Sequence, residues 1–565
     1  MNILIFSASY LLIVISVVGY GLLFNSSFHS DKKKINFGYA GILGLFVLII
    51  YSYVSSFFIS HSIIHNTAII TLGILFFIIK LKKNFRFNKY EYLIFFLIFL
   101  ILYISALAYK TNEDFPYYHF NYTMLLTERP SLLGIGAFNH GFRTPSSLFY
   151  VNSLFYLPYV KFFSFHMAAI LIMGFANFIL LQKIKDFIKN NKFNFITYLS
   201  LLSFVFINIV FYRIAEHGTD RSAQILILII IIELLLLINF FDPNQYKKKF
   251  RNILVLIGIT LSLKAFYILY IVFVIYLLFF LYKKINLFKI IKENILYLFL
   301  LFFLTILVLT TNIQNSACLL YPVKFTCFSN LPWAFSEQEL TLMSTHYENW
   351  AKGGAGPGFK VAMDPEIYIQ NFNWVSNWVK VYFLEKGVNT VLGTLTIALV
   401  VFLTFRSQKK IFHEKRLYKF VLFLILLLFL EWFWKHPAFR YGGFCLLALL
   451  IFLPTSLVLE KFHQEKFRTK IITLIIVVVL VFLGRNLKRL SAEIKQYDYH
   501  PIEYTFYHVN ENGRENFFIP NREIESLIIR FEDCNKSKGQ PKEECVAINK
   551  KIGFFYGKYF FKKNK

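Results

Sequence analysis

Apolar runs of roughly bilayer length, separated by short basic or polar segments, organise the whole of this chain. They cover residues 3–24, 37–60, 66–80 and 91–109, then 165–182, 195–213 and 222–241, and finally 253–282, 294–312, 386–405, 419–433, 441–459 and 470–484. A hydrocarbon core about 30 Å thick takes about 20 helical residues, so runs of this length predict membrane-spanning helices. The stretch 253–282 is interrupted by Lys264. As one helix it would leave Lys283, Lys284, Lys289 and Lys292 on the wrong side of the bilayer for the positive-inside bias. Two short helices turning near Lys264 restore the bias, and a bent or re-entrant geometry serves equally well. Counted with the turn, the pattern predicts an all-α polytopic membrane protein of about fourteen transmembrane helices.

The charge pattern gives the topology. Of 565 residues, 60 are Lys or Arg and 32 Asp or Glu, a net charge of +28. The basic residues come in clusters between apolar runs, which reads as a device for holding loops in the cytoplasm and argues against a nucleic-acid partner. No positive charge precedes the first run and Lys32-Lys33-Lys34 follow it, so the N-terminus is placed outside and no cleaved signal is expected. Walking the runs from there puts the loops 110–165 and 313–385 outside. It divides the chain into a transmembrane domain over 1–485 and an extracytoplasmic C-terminal domain over 486–565. That tail is read as a small fold or a clamp, because it holds Tyr504, Phe506, Tyr507, Phe517 and Phe518. Cys318 with Cys327 and Cys534 with Cys545 form close pairs in polar segments, and disulfides persist on the oxidising side of a membrane. Without a CxxC spacing, metal-binding or unpaired thiols are the lesser alternative. Cys445 lies in an apolar run and reads as a packed thiol.

Candidate chemistry collects on the external loops. Glu113-Asp114, followed by His119, can deprotonate a hydroxyl or hold a divalent cation, while the plainer alternative is that Asp114 caps a helix opening at Phe115-Pro116. The turn 213–221 packs Arg213, Glu216, His217, Asp220 and Arg221 between two runs, as a solvated turn or as an acid and base cluster. Lys264 is expensive inside an apolar stretch and either faces a partner or snorkels. His436 and Arg440 flank a short turn after Glu431. The loop 134–147, with His140 and Arg143, supplies glycines, amides and hydroxyls suited to sugars. Trp333, Tyr347, Trp350, Trp374 and Trp378 read as sugar-stacking faces or interfacial anchors.

Taken together, over residues 90–460, these features resemble the GT-C superfamily of integral-membrane glycosyltransferases. Glu113-Asp114 stand where that family carries an acidic motif in its first large external loop. His436-Pro437-Ala438-Phe439-Arg440-Tyr441 is similar to its late His-x-x-x-Arg-Phe/Tyr sequence. Residues 133–158 look like the matching part of bacterial surface-polysaccharide proteins. Family members often place the acidic loop after their first helix, whereas three further runs precede it here.

The resemblance implies inverting transfer of a sugar from a polyprenyl-phosphate donor to a glycan or lipid-linked acceptor, outside the bacterial cytoplasmic membrane. Asp114 would be the base, assisted by Glu113. Arg143, Arg221, Lys264, His436 and Arg440 would hold the donor phosphate, and His119, His140, Glu216, His217 and Asp220 the acceptor or sugar. No cofactor is required by this chemistry; a divalent Mg or Mn ion, if used, would sit on Glu113 and Asp114. An O-antigen-type polymerase or ligase is the alternative within the enzyme class, with His217 and Arg221 then mattering more than Asp114. A flippase for lipid-linked sugar is the alternative outside it.

Overall fold

The computed structural model describes residues 2–28, 36–84, 89–108, 114–189, 194–216, 218–356, 358–361, 363–407, 416–462, 467–498, 500, 502, 519–536 and 543–562. Glu113, His217 and the tail aromatics Tyr504, Phe506, Tyr507, Phe517 and Phe518 lie outside them. The chain is an all-α polytopic protein: among the described residues, 10 helices are long and apolar enough to cross a membrane. Phe195–Val210 and Gly443–Leu459 are shorter apolar helices, and Tyr246–Leu263 and Lys419–Lys435 cover further runs.

Helices near the centre of the bundle are enclosed by the rest, Phe195–Val210 among them. Met167–Lys189 and Gly218–Asn239 are buried around most of their circumference, which is why their runs are apolar on every face. Peripheral helices instead turn large apolar side chains outward, such as Phe299 and Phe302 on Leu287–Ser316. In a bilayer, helix association rests on close packing, since lipid tails are as apolar as leucine. Helices Ile3–Phe28 and Phe37–Ser56 meet through glycine accordingly: a methyl group at Gly44 would stand 1.8 Å from the Val17 carbonyl oxygen.

The run 253–282 is broken at Lys264, as its charge pattern requires. Helix Tyr246–Leu263 ends there, Lys264 is extended (φ −157°, ψ 146°), and a 3₁₀ segment Ala265–Ile271 leads into helix Val272–Tyr282. The bundle's two ends differ chemically. One carries paired basic clusters: Lys183 with Glu233, Lys247 with Glu293 at 2.8 Å, and Arg416 with Glu460 at 2.8 Å. The other carries both disulfides, Cys318–Cys327 and Cys534–Cys545.

The domain boundary drawn at 485 falls inside a helix, Phe467–Tyr497, which continues the last apolar run without a break. Beyond it the described tail is a clamp on the 128–134 segment. Helices Ile519–Lys536 and Glu543–Lys551 are joined by the Cys534–Cys545 bond and followed by a hairpin, Ile552–Phe555 with Lys558–Phe561. Phe561 N donates to the Leu133 carbonyl at 3.0 Å and Leu133 N to that of Tyr559 at 3.1 Å. Arg129 Nε donates to Glu525 at 2.8 Å, and Phe560 packs with Trp333, Ala317 and Leu133. Closing a loop of this length contributes about 3 kcal/mol through the unfolded state. Cys534→Ser with Cys545→Ser is therefore expected to expose the tail to limited proteolysis at protease levels that leave the native tail intact, with the membrane helices uncut. Equal cleavage of both proteins would show that the clamp does not depend on the bond.

Candidate functional site

Four charged side chains from four separate turns meet at the end of the bundle that carries the disulfides. Asp114 stands at the N-cap position of a π-helical turn, Phe115–His119, yet its side chain makes no capping bond. Its carboxylate instead accepts from Arg440 Nη2 at 2.6 Å. Arg440 Nε donates to Asp220 Oδ2 at 2.9 Å, and Lys264 pairs with the other oxygen of Asp220. Asp220 lies in the first turn of Gly218–Asn239, where the helix dipole favours an anion. The helix break at Lys264 delivers the ammonium to this point, so Lys264 neither snorkels nor stays unpaired. The two acids differ in access: the Asp114 side chain is 26% exposed and that of Asp220 6%.

The turn bearing Arg440 is pinned on every side. Trp378 Nε1 donates to the Pro437 carbonyl at 3.0 Å, Trp432 Nε1 to that of Ala438 at 2.9 Å, and Phe439 N to the Tyr382 hydroxyl at 2.8 Å. Gln224 Nε2 donates to the Arg440 carbonyl at 3.0 Å while its Oε1 accepts from Cys445 N at 3.0 Å. Gly442 follows at φ +106°, a conformation that favours glycine. The Arg440 guanidinium lies 5.7 Å from the Trp350 ring and 5.6 Å from that of Tyr441, and the latter ring also faces Lys264 at 5.1 Å.

The electrostatics favour ionised carboxylate at the accessible acid. Burial raises the Asp114 pKa, but the attractions of Arg440 and His119 outweigh it and hold the carboxyl below its ordinary range. His119 is buried between Tyr118 and Phe149, its Nε2 without a hydrogen-bond partner. Burial pushes its pKa down to about 4 against a partial lift from Asp114, so the imidazole is neutral at pH 7. A depressed pKa contributes stability that is complete above the unfolded value of about 6.5 and is lost as pH falls toward about 4. His61, buried between Ser55 and Ser153 with a pKa near 3, adds to the same loss. Thermal stability is expected to fall between pH 6.5 and 4, and His119→Gln to flatten that fall; an unchanged slope in the variant would exclude His119 as a source.

Several residues assigned by sequence stand elsewhere. Arg143 does not join the cluster: it is buried between the Tyr321 and Phe335 rings, 4.9 and 4.4 Å away, and held by Glu339 at 3.2 Å and the Gly136 carbonyl at 3.0 Å. Its charge is spent on fixing the 134–143 loop, so it is not free to hold a phosphate. Glu216 is buried and pairs with both Arg213 and Arg489, tying helix Phe467–Tyr497 to the 213–221 turn, which removes it as a sugar ligand. Arg221 turns away from Asp220, donating to the Arg213 carbonyl at 3.0 Å and lying over Phe211 at 5.7 Å. His436 pairs with Glu431 at 3.2 Å and packs on Phe266, outside the cluster. His140 is exposed and bonded to the Tyr117 hydroxyl at 3.1 Å. Trp374, Trp378 and Trp333 are buried, so they pack the fold and offer no face to a sugar. Among the described residues, no three His, Cys, Asp or Glu side chains come together as a metal ion needs, and Glu113 is not among them.

Asp220, read from sequence as a sugar ligand, is the core of the ion network. Gln224 was missed, although it lies one helical turn from Asp220 in an otherwise apolar run, and a buried amide there needs a partner. A shallow apolar depression with a free volume of about 20 Å³, room for about one water molecule, lies between Tyr246–Leu263 and Leu287–Ser316, lined by Leu261, Ser262, Ala265, Ile268, Leu304 and Val308 among others. No curated protein and no solved structure matches the chain. A family model spans residues 1–447, taking in Asp114, Asp220, Lys264 and Arg440 and stopping short of the tail. On that match the chain belongs to the DUF8201 family, described as a domain of unknown function.

Proposed function

We propose that this protein is a GT-C-like membrane glycosyltransferase that moves a sugar from a polyprenyl-phosphate donor to a glycan or lipid-linked acceptor, with inversion. The observation that carries the reading is the meeting of Asp114, Asp220, Lys264 and Arg440 from four turns far apart in sequence. Asp114 is the base, taking the proton of an acceptor hydroxyl as its oxygen bonds to the anomeric carbon. The bond from that carbon to the donor phosphate oxygen breaks, and its electron pair leaves with the phosphate. Arg440 and Lys264 stabilise the charge that collects there, in a partly desolvated site where such contacts are strong. A divalent cation, if one takes part, would bind at Glu113 and Asp114.

The same reading has about fourteen membrane spans, both termini outside, and the active face extracytoplasmic in a bacterial cytoplasmic membrane. In its support, both disulfides lie at the end that carries the cluster, and disulfides belong to the oxidising side. The broken helix at Lys264 is the one feature that favours a flippase, since transporters place such breaks beside their substrates. Against a polymerase or ligase built on Arg221, that guanidinium packs on Phe211 outside the cluster. Scoring surface glycan in cells separates the enzyme readings. Asp114→Asn is expected to abolish it and Arg221→Ala to leave more than about half; full glycan with Asp114→Asn would remove the assignment of the base.

A further inference from the structure

The four clustered side chains carry two negative and two positive charges, and His119 beside them is neutral. A phosphate entering this site as a third anion would leave the cluster net negative in a poorly solvated place unless one carboxylate moved away. The two are not equally held. Asp220 is paired with both Lys264 and Arg440, sits in the first turn of a helix and is 6% exposed. Asp114 has one cationic contact, no capping bond and 26% exposure. Arg440 itself stays put when Asp114 leaves, because Asp220, Gln224 and the faces of Trp350 and Tyr441 hold it from other directions. Its Nη2, released from a carboxylate, is a donor of the fork geometry that phosphate accepts.

We infer that a phosphate-bearing ligand binds by taking the place of the Asp114 carboxylate on Arg440, so that ligand binding itself unmasks the base. This rests on the glycosyltransferase reading and adds an order of events to it. In the resting protein the base is neutralised by a cation and poorly suited to attract a proton. Once the phosphate occupies Arg440 Nη2, the Asp114 carboxylate is released from its one direct cationic contact and is free to accept a hydrogen bond from an acceptor hydroxyl.

The test uses the full-length protein in lipid nanodiscs, with a short-chain polyprenyl monophosphate and inorganic phosphate as probes of binding. Removing a competing charge is expected to tighten binding of the lipid probe about tenfold in Asp114→Asn relative to wild type. Asp114→Glu, which keeps the competitor, should bind as wild type does. A gain shared by inorganic phosphate assigns recognition to the phosphate group alone, and a gain confined to the lipid probe assigns it to a lipid-borne phosphate; either supports the exchange. Wild-type binding with no gain, or a loss, in a folded Asp114→Asn protein overturns the exchange and leaves the glycosyltransferase reading standing. Failure of both proteins to bind either probe overturns the two together.

Discussion

Arg440→Ala is expected to lower glycosyl transfer by about a thousandfold and to destabilise the membrane domain by about 2–4 kcal/mol. Both effects follow from the position of the guanidinium. It is the link between Asp114 and Asp220, and without it Asp220 keeps only Lys264 while Asp114 keeps no direct cation. Breaking a buried pair costs more than the pair contributed, because the remaining charge stays desolvated. The lower end of the range reflects the 32% exposure of Arg440 and 26% exposure of Asp114, where water recovers part of the loss. Arg440→Lys should recover most of the stability and little of the activity, since an ammonium is a point charge and cannot span two carboxylates as a fork does. Thermal unfolding in detergent beside a transfer assay checks both halves. A native melting curve for Arg440→Ala would show that the network does not hold the turns together.

The second large effect separates the two acids. Asp114→Asn is nearly isosteric and leaves Arg440 paired with Asp220, so the protein should melt within about 2 °C of wild type. Loss of the proton acceptor should still lower transfer by 10² to 10⁴. Asp220→Asn should do the reverse in stability, since it leaves Lys264 and Arg440 to a single carboxylate; a loss of about 3–5 kcal/mol is expected. The acid limb of kcat/KM, which reports the protein before its ligand binds, should fall below the ordinary carboxylate range, because Arg440, His119 and Lys264 favour the ionised form of Asp114 there. Equal melting points for the two variants would show that the acids share one role.

The parts of this arrangement legible in the sequence were those where physics leaves few choices. A lysine inside an apolar run must break the helix or find an anion, and Lys264 does both. Cysteines spaced closely in polar segments had near partners, and Cys318–Cys327 and Cys534–Cys545 are bonded. What the sequence left open depended on distant partners. Nothing local to Glu216 announces Arg489, and nothing near Arg143 announces Glu339 or the two rings that enclose it. The choice between capping and catalysis at Asp114 was balanced in sequence, because an acid before Phe-Pro suits a helix start equally well. It is resolved against capping only by the presence of Arg440, 326 residues away. The tryptophans illustrate the same limit: sequence offered them as sugar-stacking faces or interfacial anchors, but Trp374 and Trp378 fold inward, Trp378 bonding the turn that carries Arg440 and Trp374 packing behind it.

The most direct test of the central claim is to reconstitute the purified protein in vesicles with a labelled polyprenyl-phosphate sugar and an acceptor on one face. The account predicts a new glycosidic bond, formed by wild type and lost in Asp114→Asn. Movement of the intact lipid-linked sugar across the vesicle membrane with no glycosidic bond formed would contradict it.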